Sequence, residues 1–180
     1  MNVIQHTANR FTRLTLKTKA ALLCVLLLLI LFCWMLPDKL FIAPTSYVIE
    51  DANGNLLNAS IAADGQWRFP YNADVPEKFI DCITTFEDKR FFKHPGIDVA
   101  AIARATIANF SKRQIIQGGS TITMQVIRMA KKNNERSIWN KLKESLFAMR
   151  LEMSCSKKEI LGLYASNAPF GSNVVGLDAA

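Results

Sequence analysis

The chain sets one long apolar block ahead of a series of shorter amphipathic segments. Residues 20–36 read AALLCVLLLLILFCWML and carry no charge. A helix this apolar on every face is hard to bury in a small protein. The block also approaches the length needed to cross a bilayer, roughly 17–25 residues. The pattern therefore predicts a membrane-spanning helix over 20–36. Further on, Tyr47-Val48-Ile49 and Leu56-Leu57 flank Asp51-Ala52-Asn53-Gly54. Asn-Gly between apolar runs predicts a β-hairpin, with Trp67-Arg68-Phe69 as a third short strand. From Pro76 onward the period becomes helical. Pro76 suits the first turn of a helix reaching Phe86. Asp98 caps a helix over 99–110 with apolar positions at Val99, Ile102, Ala103, Ile107 and Phe110. Ser120 opens a helix to Ala130 and Ser137 a long one to Met153. Ser156 with Glu159 forms a capping box for a last short helix ending at Tyr164. This organisation gives a tail over 1–19, an apolar anchor over 20–36, a membrane-proximal hairpin region over 37–70 and a mainly α domain over 71–180.

Charge orients this arrangement. The net charge of +7 is uneven: the tail holds Arg10, Arg13, Lys17 and Lys19 and no acid. The positive-inside rule then puts the N-terminus in the cytoplasm and residues 38–180 outside. The block ends in Trp34-Met35-Leu36-Pro37, too bulky for a signal-peptide cleavage site, so the expectation is an uncleaved signal anchor. Neither Cys24 nor Cys33 follows the pair of small residues that a lipoprotein signal needs. Half of the residues are hydrophobic, which excludes a disordered chain. Within 104–143 there are nine Lys/Arg and one acid, Glu135. That excess favours an anionic partner: a pyrophosphate, a phospholipid headgroup or a nucleic acid. No CxxC occurs among the four cysteines, which argues against zinc. Cys82 and Cys155 read as core thiols, with a disulfide between them open in an oxidising compartment.

Three constellations carry candidate chemistry. The first, over 87–98, packs Glu87, Asp88, Lys89, Arg90, Phe91, Phe92, Lys93, His94 and Asp98 around a helix end; the bland alternative is a solvated terminus with Asp98 as a cap. In the second, Gln117-Gly118-Gly119-Ser120-Thr121-Ile122-Thr123-Met124-Gln125, glycines feed a helix start whose free N–H groups suit an anion. It is not a Walker loop, because no Gly-Lys-Ser/Thr follows at the required spacing. In the third, Lys141 and Glu144 are three apart on one helix face, and Ala148 and Leu151 continue that face. This describes either a partly buried carboxylate or a surface ion pair.

Together these segments resemble the family 51 glycosyltransferases, the peptidoglycan polymerases of class A penicillin-binding proteins and of monofunctional transglycosylases. The resemblance runs from about Tyr47 to the last residue. It rests on ED-x-x-F-x-x-H-x-G (Glu87, Asp88, Phe91, His94, Gly96), G-x-S-T-x-T-x-Q (Gly118, Ser120, Thr121, Thr123, Gln125), Lys141-x-x-Glu144, Lys158-Glu159-Ile160-Leu161 and Phe170-Gly171…Gly176. Met124 and Ala168-Pro169-Phe170-Gly171 are most similar to the penicillin-binding protein 1C branch.

The resemblance implies a lysozyme-like helical domain, and polymerisation of lipid II into β-1,4 glycan with release of polyprenyl pyrophosphate. It makes Glu87 the base and Glu144 the second carboxylate, organising the donor site or a divalent cation (Mg or Mn) at the pyrophosphate. Asp88, Phe91 and His94 shape the pocket. Ser120, Thr121 and Gln125 position substrate, and Arg128, Arg136 and Lys141 face the pyrophosphate. Implied partners are lipid II, the growing strand, the inner membrane and other cell-wall synthesis proteins, with no role for nucleic acid. The family's domain continues beyond the position matched by Ala180 and in bifunctional members a transpeptidase follows, so the chain is expected to be truncated at its C-terminus.

Some positions depart from the family pattern. Asn140 replaces an Arg before Lys141, Ala165-Ser166 replaces Leu-Asn, and Gly162 replaces a helix former at a cost of up to about 1 kcal/mol relative to Ala. Ser154-Cys155-Ser156-Lys157 matches the S-x-x-K acylation motif, but Ser156 reads better as a helix cap. Two other readings fit the residues: a lysozyme-like glycan hydrolase with its Glu in a helical cleft, and an inactive truncated membrane protein that only binds lipid II.

Overall fold

The computed structural model describes residues 15–114, 118–132, 135 and 137–180. The chain divides into two units, Met1–Pro37 and Asp38–Ala180. In the first, helix α1 (Leu16–Trp34) begins at Thr15, whose side chain accepts from the Thr18 N–H. Its 19 residues are long and apolar enough to cross a membrane, reaching about 28 Å at 1.5 Å per residue. The helix starts four residues ahead of the expected block and stops before Met35-Leu36. Capping by Thr15 sets the first boundary.

The second unit opens with an antiparallel hairpin of β1 (Tyr47–Glu50) and β2 (Leu56–Ser60). Asp51 shapes its turn by accepting from the N–H groups of Asn53 and Asn55, and Gly54 takes the left-handed φ of 82° that an Asn-Gly turn requires. Strand β3 (Trp67–Arg68) forms as expected but joins another sheet. It pairs in parallel with β5 (Val174–Val175), which pairs antiparallel with β4 (Pro169–Gly171). The buried Ser46 N–H also donates to the Arg68 carbonyl. The stretch around Ser46 is thereby tied to the sheet of β3, β5 and β4.

Helices dominate between these strands, as the pattern predicts. They are α2 (Glu77–Glu87), α3 (Val99–Lys112), α4 (Ile122–Ala130), α5 (Ile138–Glu152) and α6 (Lys157–Asn167). Asp98, Ser137 and Ser156 cap α3, α5 and α6, and Ser156 and Glu159 form the full capping box. The cap of α4 is Thr121, one residue later than expected, because its hydroxyl accepts from the Met124 N–H. Helix α6 runs three residues past Tyr164. At Gly162 an added Cβ would lie 2.9 Å from the Tyr71 hydroxyl and 3.2 Å from the Asn72 carbonyl oxygen. A close approach, rather than helix propensity, accounts for glycine there.

Helix α4 is the centre of the core. Ile122, Thr123, Met124, Val126 and Ile127 are buried, with α5 and α6 packed around them through Ala148, Leu151, Ile160, Leu161, Tyr164 and Ala165. A nine-residue helix is marginal by itself, and burial on several sides stabilises it. Two expectations fail. The apolar positions of α3 do not form a core face: Val99, Ile107 and Phe110 are exposed, and Ala105 is its buried residue. Gly119 approaches α3 so closely that an added Cβ would lie 3.0 Å from the Ile102 Cα, 3.3 Å from its Cγ1 and 3.5 Å from the Ala105 Cβ. Cys82 is exposed and Cys155 half-buried, both as free thiols, so neither is a core thiol. Cys82 lies on α2, a helix with no fully buried residue.

Candidate active site

Glu87 is the last residue of α2, and its side chain is exposed. Its carboxylate accepts from the Gln125 amide on α4 at 2.7 Å. Tyr164 of α6 stands close enough for the Glu87 charge to act on it. Burial first, and that charge second, push the Tyr164 hydroxyl above its ordinary value.

Asp88 turns the opposite way, into the protein. Its two oxygens lie 2.9 and 3.0 Å from His94 Nε2, and one of them accepts from the Ile122 N–H at 3.1 Å. Asp88 thus satisfies one of the free N–H groups at the start of α4. His94 is buried, and its Nδ1 has no hydrogen-bond partner among the described residues. Phe91, in a 3₁₀ turn over Phe91–Lys93, is fully buried and meets Phe92 and His94 edge-to-face. Thr121 is also buried, its hydroxyl donating to the Gly96 carbonyl at 2.6 Å. Gly96 holds φ 89° and lies directly on α5, where an added Cβ would come within 2.8 Å of the Ala148 carbonyl. Of the expected substrate-binding residues, Asp88, Phe91, His94 and Thr121 therefore reach the site through their neighbours.

The second carboxylate is buried. Glu144 is 5% exposed and takes both ends of the Arg128 guanidinium, at 3.0 and 2.7 Å. The surface ion pair with Lys141 does not form, because Arg128 of α4 supplies the cation from the interior side. Arg128 also donates to the half-exposed Ser120 hydroxyl at 3.4 Å. Lys141 is exposed and in no ion pair among the described residues. Arg136 lies outside the described residues. Gln125 and Arg128 are three apart on α4 and share a face. One helix therefore holds Glu87 through the first and Glu144 through the second.

Among the described residues the protein by itself offers no complete metal-ligand set here. Both Glu144 oxygens are engaged by Arg128, and no cluster of three or more His, Cys, Asp or Glu occurs among the described residues. The positive charge set against Glu144 is the Arg128 guanidinium.

The model of the transglycosylase family matches residues 54–180. The chain belongs to the transglycosylase family. Among its relatives, penicillin-binding protein 1C of Escherichia coli (strain K12) is 36% identical over 85% of this chain and 20% of its own length. Penicillin-binding protein 1A of Aquifex aeolicus is 38% identical over 76% of this chain and 19% of its own. A monofunctional glycosyltransferase of Staphylococcus aureus (strain JH9) is 40% identical over 59% of this chain and 39% of its own. The chain thus spans about a fifth of the penicillin-binding relatives and under half of the monofunctional one.

Two features of this site are not singled out by the sequence. Tyr164 appears there only as a helix end. The Arg90–Asp98 ion pair, with Arg90 Nε 2.8 Å from an Asp98 oxygen, braces the loop that follows Glu87. Its one signal is an eight-residue separation across a loop, which no local periodicity marks.

Proposed function

We propose that this chain is the catalytic part of a peptidoglycan glycosyltransferase that joins lipid II units, with Glu87 as the base. The observation that carries this reading is the opposed pair of carboxylates held by α4. Glu87 is exposed, with one amide hydrogen bond, and keeps lone pairs free for a hydroxyl proton. Glu144 is buried and spent on orienting a cation. In the step this supports, the 4-hydroxyl of the acceptor sugar gives its proton to Glu87 as its oxygen bonds to C1 of the donor. The bond from C1 to the pyrophosphate oxygen breaks, inverting the centre to β-1,4. Charge then accumulates on the polyprenyl pyrophosphate, where Arg128 and Lys141 stabilise it, together with Arg136. Ser120 and Gln125 orient substrate, and Glu144 acts through Arg128.

The surface supports a lipid-linked substrate. Along α5, Ile138, Trp139, Leu142 and Leu146 are exposed and fall within an arc of about 100°. Glu144, Ala148 and Leu151 occupy the opposite, buried side, and Lys141 and Lys143 flank the apolar arc. An outward apolar stripe edged by lysines and bearing a Trp suits a bilayer interface. With α1 as a single-pass anchor, the N-terminus is cytoplasmic and residues 38–180 work on the outer face of a bacterial inner membrane.

The test is incubation with labelled lipid II. Polymer is expected from the parent chain, and Glu87→Gln should lower its rate at least about 100-fold, the scale of a lost general base. Near-normal polymerisation by Glu87→Gln refutes the base assignment, whereas shortening of preformed glycan without new polymer refutes the reaction.

A further inference from the structure

Lys157, the last residue of the unused S-x-x-K match, sits where three elements meet. Its ammonium donates to Glu152 Oε1 at 2.7 Å and to the His94 carbonyl at 2.7 Å, and lies 4.3 Å from the centre of the Phe91 ring. The Glu152 side chain is only 7% exposed, and the same Oε1 accepts from the Thr123 hydroxyl of α4 at 2.6 Å. We propose that Glu152 and Lys157 form a clasp that fixes the distance between the two walls of the active site, making both of them positioning residues for the transfer reaction.

One wall is the loop over 88–98, which follows directly from Glu87. The other is α4, which carries Gln125 and Arg128. Lys157 grips the first at His94 and Phe91, Glu152 grips the second at Thr123, and their ion pair joins the grips. From His94 the linkage runs through Nε2 to Asp88, the residue next to Glu87, and from Asp88 to the Ile122 N–H. The walls also meet at Asp88–Ile122 and at Thr121–Gly96, both near the start of α4. The clasp takes hold one residue further on, at Thr123, and adds a charged tie between the same two walls. Breaking one partner of a mostly buried ion pair strands the other, and an ammonium against a ring and a carbonyl has no apolar equivalent. The loss therefore loosens this junction before it loosens the helices around it.

The catalytic arm of the test rests on the glycosyltransferase reading; the structural arm does not. Lys157→Met keeps the length of the side chain and removes its charge. In the chain with its anchor, in detergent, we expect kcat for lipid II to fall about 10- to 100-fold, the scale of a misplaced catalytic group. KM should stay within about twofold, and Lys157→Arg should restore most of the rate. Amide exchange within 93–97 and 123–125 should quicken about tenfold or more, while the α6 amides beyond Leu161 keep their protection. Unchanged exchange at both segments overturns the clasp, whether or not the parent chain polymerises lipid II. Quickened exchange with an unchanged kcat overturns the positioning role. A parent chain that makes no polymer counts against the glycosyltransferase reading alone. Glu152→Gln, which keeps an acceptor for Thr123, gives the same readouts at smaller amplitude should Lys157→Met fail to fold, and parent-like values in it also overturn the proposal.

Discussion

At the scale of single residues, Asp98 joins the two halves of the loop after Glu87, accepting from Arg90 on one side and capping α3 through the Ala101 N–H on the other. The Arg90 guanidinium, working against burial and helped by that N–H, holds the Asp98 carboxyl well below the usual carboxylate range. A depressed folded value means that this stabilisation is fully present above the unfolded value, about 3.9. It is lost as pH falls toward the folded one. Asp98→Asn should therefore unfold more easily at neutral pH and lose less further stability than the parent between about pH 5 and pH 2. Urea melts in detergent at the two pH values measure this, and equal acid sensitivity in both proteins counts against it. Glu87, Ser120, Gln125 and Glu144 could be picked out in the sequence because each stands in a short motif of characteristic spacing. The partners of Glu144 and Lys157 could not. Arg128 and Glu144 are on different helices, and Lys157 meets His94 directly and Thr123 only through Glu152, an arrangement that exists only after α4, α5 and α6 have packed.

At the scale of elements, three of the caps and the buried face of α5 were readable, and the inward face of α3 was not. Asp98, Ser137 and Ser156 act on amides within three residues, so the sequence contains the whole interaction. Which side of α3 faces inward depends on Gly119 pressing against Ile102 and Ala105, which no period in α3 reports. A similar close approach governs the loop at Gly96, where a left-handed φ and the backbone of α5 leave no room for a side chain. Gly96→Ala adds left-handed strain of about 1–3 kcal/mol and overpacking of a similar size. We expect a loss of more than about 2 kcal/mol, together with a fall in polymerisation, since Gly96 also receives the Thr121 hydroxyl. Denaturant midpoints with an unchanged slope would measure it, and a midpoint equal to the parent's would show that the loop yields freely.

At the scale of the whole molecule, strands of two residues close the second unit by pairing Trp67 with Val174, far apart in sequence. Two residues hold too little pattern to predict a pairing, and this contact appears only in three dimensions. The outward stripe of α5 gives a prediction at this scale. Burying a Leu side chain is worth roughly 1.5–3 kcal/mol, and a carboxylate is repelled by anionic lipid. Leu142→Glu should slow polymerisation about threefold or more in anionic vesicles and leave the rate in detergent unchanged. Equal slowing in both would place the defect inside the protein. Finally, α4 holds one carboxylate through Gln125 and the other through Arg128, so the gap between the two attachment points is a helical rise of about 4.5 Å. The site has a ruler built from backbone hydrogen bonds, and its graduations do not depend on side-chain volume. Changes in side-chain size along α4 leave that spacing alone. Inserting or deleting a single residue between Gln125 and Arg128 swings one attachment about 100° away from the other and takes Glu87 and Glu144 off their common helix face.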